Sequence, residues 1–296
     1  MNWFPECAPC FLRQVLTVQR CLALDEAQTK SLIKSVGCLL CSIRDDISPP
    51  EFAMEVYGKV KELTGEDDPY KRAKEESNRI ALSMVPIIRE RVNSTLDPIK
   101  ESVLLSIAGN IIDFGVTGDI DVLRELNQIL KEEKKSDPRF FRIDEFLVRL
   151  HDSKRILVIG DNCGEIVFDK IMIETIKKHW PDKEFIFAVR GGPIINDVTY
   201  DDAVKVGLDM VANIISSGVR APGAVLSRAS KEFISEFYKA DMVISKGQGN
   251  FEALSDVDRE VFFLFMAKCD VVAKFVGCPK GTVLLLRGGV KKSEYK

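Results

Sequence analysis

The sequence predicts an α/β protein: three α/β/α layers around a mostly parallel sheet, preceded by a helical N-terminal domain. Three observations carry this prediction. The first half shows helical spacing of apolar residues and no β signal before about residue 150. The second half alternates strand and helix patterns, which calls for right-handed crossovers and helices on both faces of a sheet. At the start of that half, Ile156-Leu157-Val158-Ile159 runs straight into Gly160-Asp161-Asn162-Cys163-Gly164-Glu165. Four consecutive aliphatic residues suit a strand buried on both faces, and the glycines allow a tight turn into the next helix.

In chain order, Asp25 can cap a helix carrying Leu32, Ile33, Val36, Leu39 and Leu40. Ser48-Pro49 starts another that ends at Gly65. Asp68-Pro69-Tyr70 opens a long helical stretch that Pro86 should kink, and Asp97-Pro98 opens one more. Residues 131–154 are rich in charge and turn formers and read as a connector, which divides the chain into a helical domain at 1–150 and an α/β/α domain at 151–296. Strands then read at 155–160, 184–189, about 210–215, 241–245 and 282–287, with helices at roughly 165–179, 200–207 and 227–239. The apolar runs at 261–266 and 271–273 are buried segments of either type.

Composition narrows the function classes. With 42 basic and 45 acidic residues mixed along 296 positions, and a net charge of -3, there is no basic stripe for nucleic acid or an anionic membrane. No signal-peptide pattern or membrane-length apolar run is present, so a cytoplasmic location is the default and the eight cysteines are expected as thiols. The two pairs Cys7/Cys10 and Cys38/Cys41 have zinc-type spacing within each pair, but structural zinc competes with ordinary buried cysteines. His151 and His179, the only histidines, read as surface residues, which leaves little room for histidine-based catalysis.

The polar and glycine-rich segments follow strand ends, and on one edge of a parallel sheet strand ends converge. The segment at 161–165 follows the first strand, Arg190-Gly191-Gly192-Pro193 and Asn196-Asp197 the second, Ser216-Ser217-Gly218 the third, and Lys246-Gly247-Gln248-Gly249-Asn250 the fourth. Such an edge combines carboxylates, amides and cations with exposed backbone N–H groups, an inventory that suits a hard divalent cation and a phosphate. Glu165, Arg190, Gly247 and Gly249 are placed with these groups as substrate-binding residues. Taken singly, each segment is also an ordinary turn or helix cap. Asn110 and Asp113 lie on one helix face and either satisfy each other or line the pocket. Cys163 is a conceivable nucleophile, with no histidine near it in sequence. No G-x-G-x-x-G, G-x-x-x-x-G-K-[ST] or G-x-S-x-G string occurs.

Six separated motifs stand in order along the chain. They are Glu6-Cys7-x-x-Cys10, Asp68-Pro69-Tyr70 with Lys74 and Asn78, Ala108-Gly109-Asn110-x-x-Asp113, Gly160-Asp161-Asn162-x-Gly164-Glu165, Asn196-Asp197-Val198 and Lys246-Gly247-x-Gly249-Asn250. In these the chain resembles the metal-dependent damage-control phosphatase family, in particular its compact archaeal-type branch. The resemblance implies that Asp161, Asn162 and Asp197 are catalytic metal ligands. It also implies that Asn110, Asp113, Lys246 and Asn250 are pocket residues, with Lys246 the phosphate contact. It further implies hydrolysis of phosphomonoesters of small metabolites with manganese, cobalt, nickel or magnesium. The Arg-Thr-x-Lys string of larger branches is absent and Arg190-Gly191-Gly192-Pro193 stands in its place, so no substrate preference carries over. Two alternatives remain at this level: an S-adenosylmethionine-dependent carboxyl methyltransferase, and a binding module that captures a phosphorylated ligand without turnover. Whether water or a carboxylate attacks the phosphate is also open.

Overall fold

The computed structural model describes residues 1–110 and 137–289. Three helices open the chain: α1 (Cys7–Leu22), α2 (Glu26–Cys41) and α3 (Pro49–Thr64). The side chain of Asp25 accepts from Gln28 N in a capping box at the start of α2; Ser48 caps α3, and Gly65, at φ 72°, ends it. Phe11, Val15, Leu32, Phe52 and Val56 form a core of their own between these helices, closed by Ile194 from the sheet half.

The helices α4 (Lys71–Ser94), α5 (Pro98–Gly109) and α6 (Ile143–Asp152) pack instead on one face of the sheet. α4 runs on through Pro86, and Asp97 caps α5 by accepting from Lys100 N. α6 corrects the reading of 131–154 as connector throughout, since Ile143, Phe146 and Leu150 are buried. Their helical spacing is hidden among charged neighbours. Phe146 meets Phe262 edge-on at 5.4 Å between ring centroids, and each such fully buried ring contributes about 2–3 kcal/mol of transfer free energy.

Strand and helix then alternate as expected: β1 (Arg155–Ile159), α7 (Glu165–His179), β2 (Glu184–Val189), α8 (Tyr200–Lys205), β3 (Asn213–Ser216), α9 (Lys231–Lys239), β4 (Met242–Lys246), α10 (Gln248–Leu254), β5 (Val261–Met266), α11 (Asp270–Val276) and β6 (Val283–Gly288). The two undecided apolar runs resolve as strand β5 and helix α11. β3 starts later than predicted because Leu208–Met210 forms a 3-10 turn.

The sheet order is β3-β2-β1-β4-β5-β6, parallel throughout except for the β5–β6 pair. Alternation along the strands separates two cores. Ile156, Val158, Phe187, Ile244 and Phe262 face α4–α7, whereas Leu157, Ile159, Ile186, Val243 and Phe263 face α9–α11. The chain leaves β1 toward β2 on one side and returns on the other at β4, so the β1/β4 boundary is a topological switch point whose carboxyl end is a natural crevice. Among the described residues no helix is long and apolar enough to cross a membrane.

Candidate active site at the β1/β4 switch point

The loops after β1 and β2 are laced together. Asn162 and Asp197 form an antiparallel bridge, Val198 N donates to Asp161 O at 2.8 Å, and Cys163 N donates to Asn196 O at 2.9 Å. Asp161, Asn162 and Asp197 are thereby brought together, as the resemblance implies. Asp161 Oδ2 accepts from Asn110 Nδ2 at 2.9 Å and from Asn162 Nδ2 at 2.7 Å. The guanidinium of Arg190 spans the two carboxylates, from Nε to Asp197 at 2.6 Å and from a terminal nitrogen to Asp161 at 3.3 Å.

A second buried network lies behind this row. Lys246 is fully buried, and its Nζ donates to Glu165 Oε1 and Asp169 Oδ1, each at 2.6 Å, and to the Oγ and O of Ser106. Glu165 Oε2 in turn accepts from Asn110 Nδ2 at 2.6 Å and from Asn162 N at 3.3 Å. Among the described residues Lys246 is thus linked to the site through Glu165 and Asn110, whereas the resemblance implies that it contacts the phosphate itself. Asn250 is likewise inside the protein, donating to Gly160 O and Lys246 O and accepting from Arg190 and Ala224 N. Asp113 lies outside the described residues.

The charge balance around this junction is uneven. Among the described residues, Asp161, Glu165, Asp169 and Asp197 are buried, and the buried cations beside them are Arg190 and Lys246: four carboxylates against two cations. Burial pushes Asp197 up to about 7, against the pull of Arg190, and Asp169 up to about 6, against the pull of Lys246. Burial and then the neighbouring Glu165 raise Asp161 as well. For Lys246, burial works downward, but Asp169 and Glu165 outweigh it and hold the ammonium charged. The buried Oδ1 of Asn110 has no hydrogen-bond partner among the described residues. Two carboxylates that share one guanidinium, an amide oxygen without a partner among the described residues and a set of hard oxygen donors fit a divalent cation. Among the described residues no group of three or more His, Cys, Asp or Glu is arranged to hold a metal. The set at the switch point differs in kind, being two carboxylates and an amide, and the four thiols of the two Cys-x-x-Cys pairs do not assemble a zinc site.

These groups open onto a cavity of about 560 Å³. Asn110, Asp161, Asn162, Asp197 and Gly249 line it, whereas Glu165, Arg190, Lys246, Gly247 and Asn250 stand behind the lining as supports. The sequence reading missed the far wall, which comes from the first turns of α1 and α3 through Cys7, Cys10, Phe11, Pro49 and Ala53. It also missed Lys268, whose Nζ donates to Asn110 O at 3.0 Å and whose charge helps to hold Asp161 ionised. Lys268 follows β5 at the same sheet edge; reading 261–266 as a strand would have pointed to it. Cys163 is buried beside Asp202, and burial pushes its thiol well above the usual range, so it is no thiolate nucleophile. His151 and His179 are exposed, as expected.

One glycine is fixed by close approach. Gly247 has φ 80°, and a Cβ placed on it would stand 1.9 Å from Asp161 Oδ2. Gly247→Ala is expected to displace the Asp161 carboxylate and to lower stability by roughly 1–3 kcal/mol, the range for overpacking a filled interior. Urea denaturation checks this, and unchanged stability would show that the carboxylate tolerates the shift.

A family model described as the damage-control phosphatase ARMT1-like domain matches residues 3–284. An uncharacterized protein of Methanocaldococcus jannaschii is 36% identical over 292 residues, which cover 96% of this chain and 94% of that protein. A damage-control phosphatase of Pyrococcus horikoshii is 33% identical over 289 residues, covering 97% of this chain and 98% of that one. A crystal structure of a DUF89 family protein from Pyrococcus horikoshii superposes with a TM-score of 0.87 at 31% identity, covering 97% of this chain and 99% of that one. With the family model matching nearly its whole length, the chain belongs to the damage-control phosphatase ARMT1-like family.

Proposed function

We propose that the chain is a metal-dependent phosphatase that hydrolyses phosphomonoesters of small metabolites at the β1/β4 switch point. The observation that carries this reading is the cluster of Asp161, Asn162 and Asp197, two buried carboxylates that share the one guanidinium of Arg190, in the wall of a cavity that also presents Lys268. A volume of about 560 Å³ is of the size that takes a small organic ligand.

The two carboxylates and the amide oxygen of Asn162 would hold a divalent cation, with manganese, cobalt, nickel and magnesium the candidates. Such a cation supplies Lewis-acid polarisation of a phosphate oxygen when bound. Arg190 fixes the separation of Asp161 and Asp197, and Asn110 orients Asp161 from the other side. The Lys268 ammonium, at the pocket surface, offsets charge that develops on the phosphate oxygens. Lys246 serves the reaction indirectly by holding Glu165, which receives the amide of Asn110.

The test is turnover of p-nitrophenyl phosphate and a panel of sugar phosphates after exhaustive chelation, then with manganese or cobalt restored. Activity should vanish with the metal and return with it; full activity in the chelated protein would overturn the reading. Lys268→Met is expected to lower kcat/KM by about 10- to 100-fold, the scale of one charge-assisted hydrogen bond. A variant with wild-type kcat/KM would remove Lys268 from the phosphate.

A further inference from the structure

The helix α4 belongs to the helical half of the chain, yet two of its buried side chains reach the loops that carry Asp161, Asn162 and Asp197. Lys74 and Asn78 are one turn apart, at positions i and i+4, and so share a face of α4. Both are buried, 2% and 7% exposed.

Asn78 Oδ1 accepts the backbone N–H of Gly164 at 2.7 Å. Gly164 is buried, has φ 84° and stands at the N-terminus of α7, where backbone N–H groups lack partners within the helix. Without the amide of Asn78 that N–H has no acceptor, and the turn that begins at Asn162 loses its outer anchor.

Lys74 acts on the other loop. Its Nζ donates to Asp202 Oδ2 at 3.0 Å and pairs with Asp68 at 2.7 Å. The same Asp202 oxygen accepts from Thr199 N at 3.1 Å and from Thr199 Oγ1 at 2.6 Å. Thr199 lies two residues after Asp197, as Gly164 lies two residues after Asn162. Each ligand-bearing loop is thus tied, at the same distance along the chain, to the same face of one helix.

We propose that Asn78 and Lys74 are positioning residues: α4 holds the loop after β1 through Gly164 and the loop after β2 through Asp202 and Thr199, and so sets the separation of Asn162 and Asp197. The assignment rests on the metal-site reading above. It gives the helical half a part in the chemistry distinct from the cavity wall supplied by α1 and α3. The clamp belongs to the protein before any ligand arrives, since every bond in it is between side chains and backbone of the chain itself. Arg190 ties the two carboxylates from below, and α4 ties the two loops from the side.

The experiment is Mn²⁺ titration followed by the paramagnetic resonance of the free ion, with hydrogen exchange of the 161–165 segment measured without metal. Asn78→Ala is expected to weaken Mn²⁺ by about tenfold or more, the range typical of residues that orient metal ligands, and to speed exchange at Gly164. Asn78→Asp keeps an acceptor oxygen at that place and should restore both, which a loss of packing alone would not. Removing Lys74 would leave the buried Asp202 and the half-buried Asp68 without their cation and risks the fold, so Thr199→Val tests the second loop, with the same direction of effect on Mn²⁺. Wild-type Mn²⁺ affinity in both Asn78→Ala and Thr199→Val overturns the clamp; if Asn78→Ala does not fold, Thr199→Val alone decides. A wild-type protein that takes up no Mn²⁺ overturns the ligand assignment itself, and the clamp with it.

Discussion

Asp161→Asn is expected to abolish metal-dependent turnover while leaving the protein folded. The substitution is nearly isosteric, yet it removes one of the two carboxylates that would hold the cation. Losing a Lewis acid worth several kcal/mol of transition-state stabilisation lowers kcat by roughly 10³-fold or more. Stability should move little, within about 1 kcal/mol. A buried charge that burial and Glu165 already disfavour is removed, while the new amide cannot accept from Arg190 and from Asn110 and Asn162 together. Mn²⁺-dependent hydrolysis of p-nitrophenyl phosphate, read beside a thermal melt, separates the two effects. Turnover within tenfold of wild type would sink the assignment of Asp161.

The second large effect concerns stability. Lys246→Met leaves Glu165 and Asp169 buried without their shared cation, and breaking a buried pair in this way costs about 3–5 kcal/mol. Adding Glu165→Gln and Asp169→Asn removes the orphaned charges and should recover much of that loss. Activity should not recover, because Asn110 and the Asn162 N–H lose the carboxylate that orients them. Acidity separates the variants further. Asp169 titrates near 6 in the native protein, above its ordinary 3.8, and without Lys246 it rises further. A carboxyl raised on folding favours the folded state most where it is protonated. The deficit of Lys246→Met should therefore shrink on acidification toward pH 5 and be largest above neutral pH. Urea denaturation at both ends of that range checks the sign; a deficit independent of pH would mean that the lost ion pairs are not its cause.

Lys246 also marks where the sequence stopped being sufficient. A lysine after Met242-Val243-Ile244-Ser245 and before Gly247 reads as an edge residue at a phosphate site. Alternation along β4 puts it on the face of Met242 and Ile244, beneath α5 and α7, so its ammonium points into the helix layer. That face could not be assigned before the helices were placed. Lys268 went unnoticed for the converse reason, since the type of 261–266 was undecided and its carboxyl end was not counted with the others. Asn78 and Lys74 stood in a recognisable motif, but sequence separation conceals that they touch loops some ninety to a hundred and thirty residues away.

The sequence by itself determined the parallel sheet and the gathering of polar segments, those of Asp161, Asn162 and Asp197 among them, at the carboxyl ends of its strands. These follow from local rules: continuous apolar runs bury both faces of a strand, caps and glycines punctuate helices, and the carboxyl ends of parallel strands converge. Only the tertiary structure decided which polar residues face the cavity and which stand behind it, that α1 and α3 supply the far wall, and that four buried carboxylates meet two buried cations. Those outcomes depend on which helix covers which face and on charges summed over distant segments, and no local pattern in the chain encodes either.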